Sequence, residues 1–132
     1  MNIKSSKELV DEANESIKIM KPQQVKTAYD RGEATLIDIR DIRELWKEGT
    51  IKNAIHIPRG MLEFWLDPQS SYYQEKKIAN IKNIILFCAL GFRSALATKA
   101  LNEMGFNNVA NAEGGFDSLK KIGLQVVPKE KK

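Results

Sequence analysis

The chain reads as an α/β domain built on a five-stranded, mostly parallel sheet with helices on both faces. Three observations predict this. Residues 84–87 are four consecutive large apolar residues, Ile-Ile-Leu-Phe, the pattern of a strand covered on both faces. Apolar residues then fall at Leu96, Ala97, Ala100, Leu101 and Met104, one face of a helix that Gly105 stops. The same alternation of a short apolar run with an amphipathic segment recurs on either side.

Taken in order, Ser5 and Glu8 form a capping box ahead of Leu9, Val10, Ala13 and Ile17, which predicts a leading helix within residues 1–16. Residues 17–20 read as a short edge strand. Pro22 suits the first turn of a second helix that carries Val25, Ala28 and Tyr29 and ends at Gly32. Residues 36–40 form a second strand that ends in charge, with Asp38 and Arg40. Residues 41–48 follow as a short helix whose buried side is Ile42, Leu45 and Trp46. A strand at 54–57 carries His56, the chain's one histidine, which reads as a structural residue. Beyond Pro58, Phe64 and Trp65 read as core packing at helical spacing, or as pocket walls. A turn-rich break at 67–71 precedes Tyr72 and Tyr73, and the central strand comes next. Residues 108–111 read as the fifth strand, and Gly114-Gly115 turn the chain into a closing helix over 116–122. The expected division is a helix at 1–16, one domain at 17–127 and a flexible basic tail at 128–132.

Composition narrows the function classes. A chain of 132 residues is one domain, large enough for a substantial core without staples. Its single cysteine excludes an internal disulfide and fits a reducing, cytoplasmic setting. No His and Cys cluster has zinc-ligand spacing, and no metal or organic cofactor is expected. The first residues lack a long apolar run, so neither a signal peptide nor a membrane span is expected. Half of the net charge of +4 sits in the last four residues, and the other basic residues are scattered, so no nucleic-acid footprint is expected.

The chemistry centres on Cys88, in the short loop between the central strand and the next helix. The thiolate is the nucleophilic form, and an unperturbed cysteine has a pKa of about 8.5. At a helix mouth the sulfur meets unpaired amides and the positive end of the helix dipole, both of which favour the anion. If the loop curls, the N–H groups from Ala89 through Leu90, Gly91 and Phe92 to Arg93 form an anion-binding nest around the sulfur. Gly91 permits the tight turn, and Arg93 adds a fork of donors suited to an oxyanion. Taken alone, Cys88 reads as a small buried hydrophobe chosen for packing; Gly91 and Arg93 at these spacings turn the reading to the nucleophile.

Cys88-Ala89-Leu90-Gly91-Phe92-Arg93-Ser94 resembles the active-site loop of the rhodanese, or thiosulfate sulfurtransferase, family. Leu36 to Arg40 resembles that family's strand ending in Asp-Val-Arg. Gly49 to Pro58 resembles its Gly-His-Ile-Pro-Gly-Ala…Ile-Pro segment, and Glu113 to Phe116 its Gly-Gly turn. The resemblance spans residues 17–127. Thr50 stands where the family has His, Lys52-Asn53 where it has Pro-Gly, and Leu119 where it has Trp.

The resemblance implies a rhodanese-like fold with Cys88 and Arg93 catalytic. Ala89, Leu90, Gly91 and Phe92 would bind substrate through their amides, and Ser94 would support the loop. Asp38 is expected in a supporting role. Arg40 is expected in a salt bridge, with a place at the pocket border as the other reading. Arg59 reads either as a second anion-binding group or as a solvated surface arginine. Four residues separate cysteine and arginine, where related phosphatases place one more and make a wider cradle for phosphate. The implied reaction carries sulfur from a small anionic donor to a thiol, protein or cyanide acceptor. The rival readings are a persulfide carrier for a protein partner and a cysteine-based phosphatase or arsenate reductase.

Overall fold

A computed structural model describes residues 2–131. Met1 and Lys132, at the outer ends of the expected leading segment and basic tail, lie outside the described residues. The elements follow as α1 (Ser6–Ser16), β1 (Ile19–Met20), α2 (Pro22–Asp30), β2 (Ala34–Asp38), α3 (Ile42–Glu48), β3 (Thr50–Ile51) and β4 (Ile55–His56). After a 3₁₀ turn (Arg59–Met61) come α4 (Leu62–Leu66), α5 (Glu75–Ile78), β5 (Asn83–Phe87), α6 (Phe92–Met104), β6 (Val109–Ala112), α7 (Gly115–Ile122) and β7 (Val126–Val127).

The expected sheet is present, in the order β1-β6-β5-β2-β4, with every pairing parallel. β5 lies at its centre, and successive side chains alternate between faces. Ile84 and Leu86 join Ile37, Leu62 and Leu101 on one side; Ile85 and Phe87 join Leu36, Phe116 and Leu119 on the other. Burial on both faces is why this strand has no polar alternation.

β3 and β7 form a separate antiparallel ribbon that the sequence did not reveal. Two residues per strand are too few to show a period. Gly49 brings the chain into this ribbon at φ +80°, where a Cβ would stand 2.6 Å from the carbonyl oxygen of Val127. Asn53 takes the next left-handed position, at φ 71°, with a residue type that tolerates it.

Two expected core positions are corrected. Trp46 is exposed, with the Lys131 ammonium 5.1 Å above its ring, because α3 is short and buries only Leu45. Met104 is also exposed, and α6 buries Ser94, Ala95, Ala97, Thr98 and Leu101 instead. The outer side of α6 packs against α1. Ser5 caps α1 as its sequence suggests, accepting the Glu8 amide at 3.0 Å.

Candidate active site

Parallel pairing sets the ends of β2 and β5 level, with Asp38 opposite Phe87. The chain leaves both strands on one rim, the edge where open parallel sheets place their ligand sites. Ile39 N donates to the Phe87 carbonyl at 3.0 Å, extending the pairing into the loops.

Cys88 sits on the floor of its loop, 1% exposed, beside Ile39, Ile57 and Leu62. Two amides donate to its sulfur, Gly91 N at 3.2 Å and Ser94 N at 3.4 Å. Of the amides from Ala89 to Arg93 expected to face the sulfur, only that of Gly91 makes this bond; its companion comes from Ser94. The Phe92 and Arg93 amides open α6, where helix geometry provides no intrahelical acceptor. Leu90 and Phe92 stand exposed at the rim.

The Ser94 hydroxyl lies 3.3 Å from the sulfur and donates to Asn111 Oδ1 at 2.6 Å. Asn111 Nδ2 in turn donates to the Gly91 carbonyl at 3.1 Å. Ser94 therefore has one proton for two acceptors, the amide oxygen and the sulfur. Asn111 was not anticipated; its signal was a lone amide within the apolar run of β6.

The Gly-Gly turn holds the loop from below. Phe116 N donates to the Cys88 carbonyl at 2.7 Å and Asp117 N to that of Ala89 at 3.3 Å. A Cβ on Gly115 would stand 2.5 Å from the Cys88 carbonyl oxygen, so this approach requires glycine. Gly91 adopts φ 100°, the left-handed turn that brings its amide onto the sulfur.

Arg93 makes a two-pronged bond to Glu44, Nη1 to Oε2 at 2.9 Å and Nη2 to Oε1 at 3.0 Å. The Arg93 guanidinium, opposed by partial burial, holds the Glu44 carboxyl below the usual carboxylate range. Glu44, opposed by partial burial, holds the Arg93 guanidinium above the usual arginine range. Glu44 also accepts the Asp41 amide at 3.0 Å. This partner went unforeseen because Glu44 lies on another helix, 49 residues away in sequence.

Asp38 and Arg40 are both fully buried. Asp38 Oδ1 accepts from the Arg40 amide and Nε at 3.1 and 3.0 Å. Its Oδ2 accepts from Arg40 Nη2 at 2.8 Å and from Thr50 Oγ1 at 2.7 Å. Arg40 also donates to the Gly49 carbonyl and lies 4.0 Å over the Phe116 ring. Its Nη1 lies 3.8 Å from Glu48 and finds no hydrogen-bond partner among the described residues. The Arg40 charge thus faces inward, bracing the ribbon and α7, and does not border the rim.

Arg59 gives Nη1 to Glu63 at 2.7 Å, one turn along its own segment, and no hydrogen bond links it to the loop among the described residues. His56 Nε2 bonds the Arg40 carbonyl at 2.7 Å. Phe64 and Tyr72 meet edge to face on the surface, with ring centres 6.3 Å apart, while Trp65 packs on the core. Among the described residues, no group of His, Cys, Asp and Glu is placed to hold a metal ion. Among the described residues, no helix is long and apolar enough to cross a membrane.

Comparison with known proteins bears on the fold and the loop together. A tRNA uridine(34) hydroxylase of Photorhabdus laumondii is 30% identical over 97 residues, 74% of this chain and 26% of the relative. The chain spans about a quarter of the length of the curated relatives it matches. A solved Rhodopseudomonas palustris protein of unknown function, named a possible tyrosine phosphatase, is 36% identical. The match covers 96% of this chain and 97% of that one, with a TM-score of 0.88. The polysulfide-sulfur transferase homodimer of Wolinella succinogenes is 32% identical over 92% of this chain and 85% of its own, with a TM-score of 0.67. The family model of the rhodanese-like domain matches residues 21–122, and the chain belongs to that family, whose chemistry is of the sulfurtransferase type.

Proposed function

We propose that the protein is a thiosulfate sulfurtransferase that works through a persulfide on Cys88. The observation that carries this reading is the pair of amides, Gly91 and Ser94, aimed at one sulfur in a loop with four residues between cysteine and arginine. The Cys88 thiolate attacks the outer sulfur of thiosulfate. A sulfur–sulfur bond forms to Cys88, the bond within thiosulfate breaks, and its electron pair leaves with sulfite. An acceptor nucleophile, cyanide in the assay or a thiol in the cell, then attacks the outer sulfur of the persulfide and returns the Cys88 thiolate. No net oxidation of the protein occurs. Amide donors at the Cys88 sulfur stabilise the thiolate that attacks in the first half and leaves in the second, while in the persulfide between them the charge sits on the outer sulfur.

Arg93 binds the anionic donor, and the Phe92 and Arg93 amides supply further donors at the loop mouth. With Cys88 only 1% exposed, donor entry displaces a rim side chain, and Arg93, Leu90 and Phe92 are those at hand. Arg59 sits outside this machinery, its charge spent on Glu63. The unpaired thiol suits a reducing cytosol.

A second reading, phosphoester hydrolysis, is favoured by one observation, the name borne by the Rhodopseudomonas palustris relative. Initial rates against thiosulfate and cyanide, beside p-nitrophenyl phosphate hydrolysis, separate the two. Parallel double-reciprocal lines and thiocyanate release support the transferase; phosphate release without thiocyanate supports the phosphatase.

A further inference from the structure

β6 runs between β1 and β5, and the sheet fixes its backbone, with Asn111 N donating to the Lys18 carbonyl at 2.9 Å. The Asn111 side chain is buried, 4% exposed, in a strand whose other members are Val109, Ala110 and Ala112. Its partners orient the amide. The Gly91 carbonyl can only accept, so it takes Asn111 Nδ2, and Oδ1 faces Ser94. Ser94 is fully buried and gives its hydroxyl proton to that oxygen at 2.6 Å, which leaves none for the sulfur 3.3 Å away. The pair thus holds a proton off Cys88, although a thiolate there is the stronger acceptor.

We infer that Asn111 is a positioning residue for the second half-reaction: its oxygen holds the Ser94 hydroxyl while the Cys88 sulfur is uncharged and yields it as the thiolate leaves. The inference rests on the sulfurtransferase reading and deepens it. In the persulfide the inner sulfur carries no charge and is a weak acceptor, so the hydroxyl stays on Asn111. Cyanide then attacks the outer sulfur. A carbon–sulfur bond forms, the sulfur–sulfur bond breaks, and its electron pair stays on Cys88. The hydroxyl turns from a neutral amide oxygen to an anion, a bond about twice as strong. No proton leaves Ser94. Asn111 Oδ1 gives up its donor at that moment, so Asn111 sets how much of the gain reaches the leaving thiolate.

The test is a double-mutant cycle of Ser94→Ala and Asn111→Leu, reading kcat/KM for cyanide with thiosulfate as donor. Asn111→Leu removes the competing oxygen and also the anchor on the Gly91 carbonyl. The anchor is lost in both backgrounds and cancels in the cycle. The change on Asn111→Leu should be about fivefold more favourable with the Ser94 hydroxyl present than in Ser94→Ala, the scale of one neutral hydrogen bond. An equal change in both backgrounds, or a less favourable one with the hydroxyl present, makes Asn111 a loop anchor only and overturns the inference. An NMR readout needs no variant of Asn111. The side-chain carbonyl carbon of Asn111 is compared between the reduced protein at about pH 9.5, above the ordinary cysteine range, and the methyl disulfide made with methyl methanethiosulfonate. Its resonance should move between the two states in wild type and stay in place in Ser94→Ala. A resonance that stays in place in wild type, or moves equally in both proteins, overturns the inference. If wild type yields no thiocyanate, the sulfurtransferase reading itself falls. The carbonyl resonance then decides alone whether Asn111 and Cys88 share the Ser94 proton.

Discussion

Arg93 and Glu44 face one another across 49 residues of sequence, two N–H groups on two carboxylate oxygens, and join the start of α6 to the first turn of α3. The guanidinium is thus already engaged, and under the proposed function an incoming donor would compete with Glu44 for it. Glu44→Gln keeps an acceptor for the Asp41 amide and removes the competing charge. Its KM for thiosulfate should fall about three- to tenfold at low salt, with kcat little changed, the scale of one partly exposed ion pair. Steady-state kinetics at two ionic strengths check this. A raised KM with a lowered kcat would instead make Glu44 the residue that orients Arg93.

The neighbouring cap sets an acid limit on stability. Hydrogen bonds from the Arg43 side chain and amide hold Asp41 down from 3.8 to about 2. A carboxylate depressed in the folded state stabilises above its unfolded value, and that contribution is lost as the pH falls through the folded value. The urea midpoint of wild type should therefore decline between pH 3.8 and about 2, in part through Asp41. Asp41→Asn, which keeps a capping side chain, should flatten that part of the decline. An unchanged acid limb would show that Asp41 does not contribute.

Ser94→Ala removes the hydroxyl between Cys88 and Asn111. The buried Asn111 oxygen loses its donor, at a cost of about 1–3 kcal/mol. The rate of sulfur transfer should drop about tenfold, with the loop amides still in place. Denaturation and kinetics on the same preparation separate the two effects. Full activity in this variant would remove Ser94 from the site.

Much of this was legible before the structure. The continuous apolar run of β5, the helix period of α6 and the glycine stops follow from local sequence, and the sheet they imply is the one found. Cys88, Gly91 and Arg93 stand out because a reactive loop is contiguous in sequence. What stayed hidden is contact between distant segments. Glu44 reaches Arg93 from another helix, Asn111 reaches Ser94 from another strand, and Arg40 turns inward to Asp38, Gly49 and Phe116. Trp46 misled because a large apolar side chain on a short helix can lie on the surface beneath a lysine.

Gly115→Ala tests the support beneath the loop. The added Cβ meets the carbonyl of Cys88 at 2.5 Å and that of Ala89 at 2.7 Å, in a backbone conformation at φ +61° that side chains rarely adopt. Stability should fall by about 3 kcal/mol. Activity should fall further than unfolding accounts for, since the loop itself must shift. Equal unfolding midpoints for variant and wild type would contradict the close approach.

The central claim is that Cys88 carries a second sulfur. Intact mass spectrometry after thiosulfate treatment, wild type beside Cys88→Ser, reads this directly. Wild type alone should gain one sulfur atom and lose it again on adding cyanide. A wild type that gains nothing, or a Cys88→Ser variant that gains as much, would contradict the account.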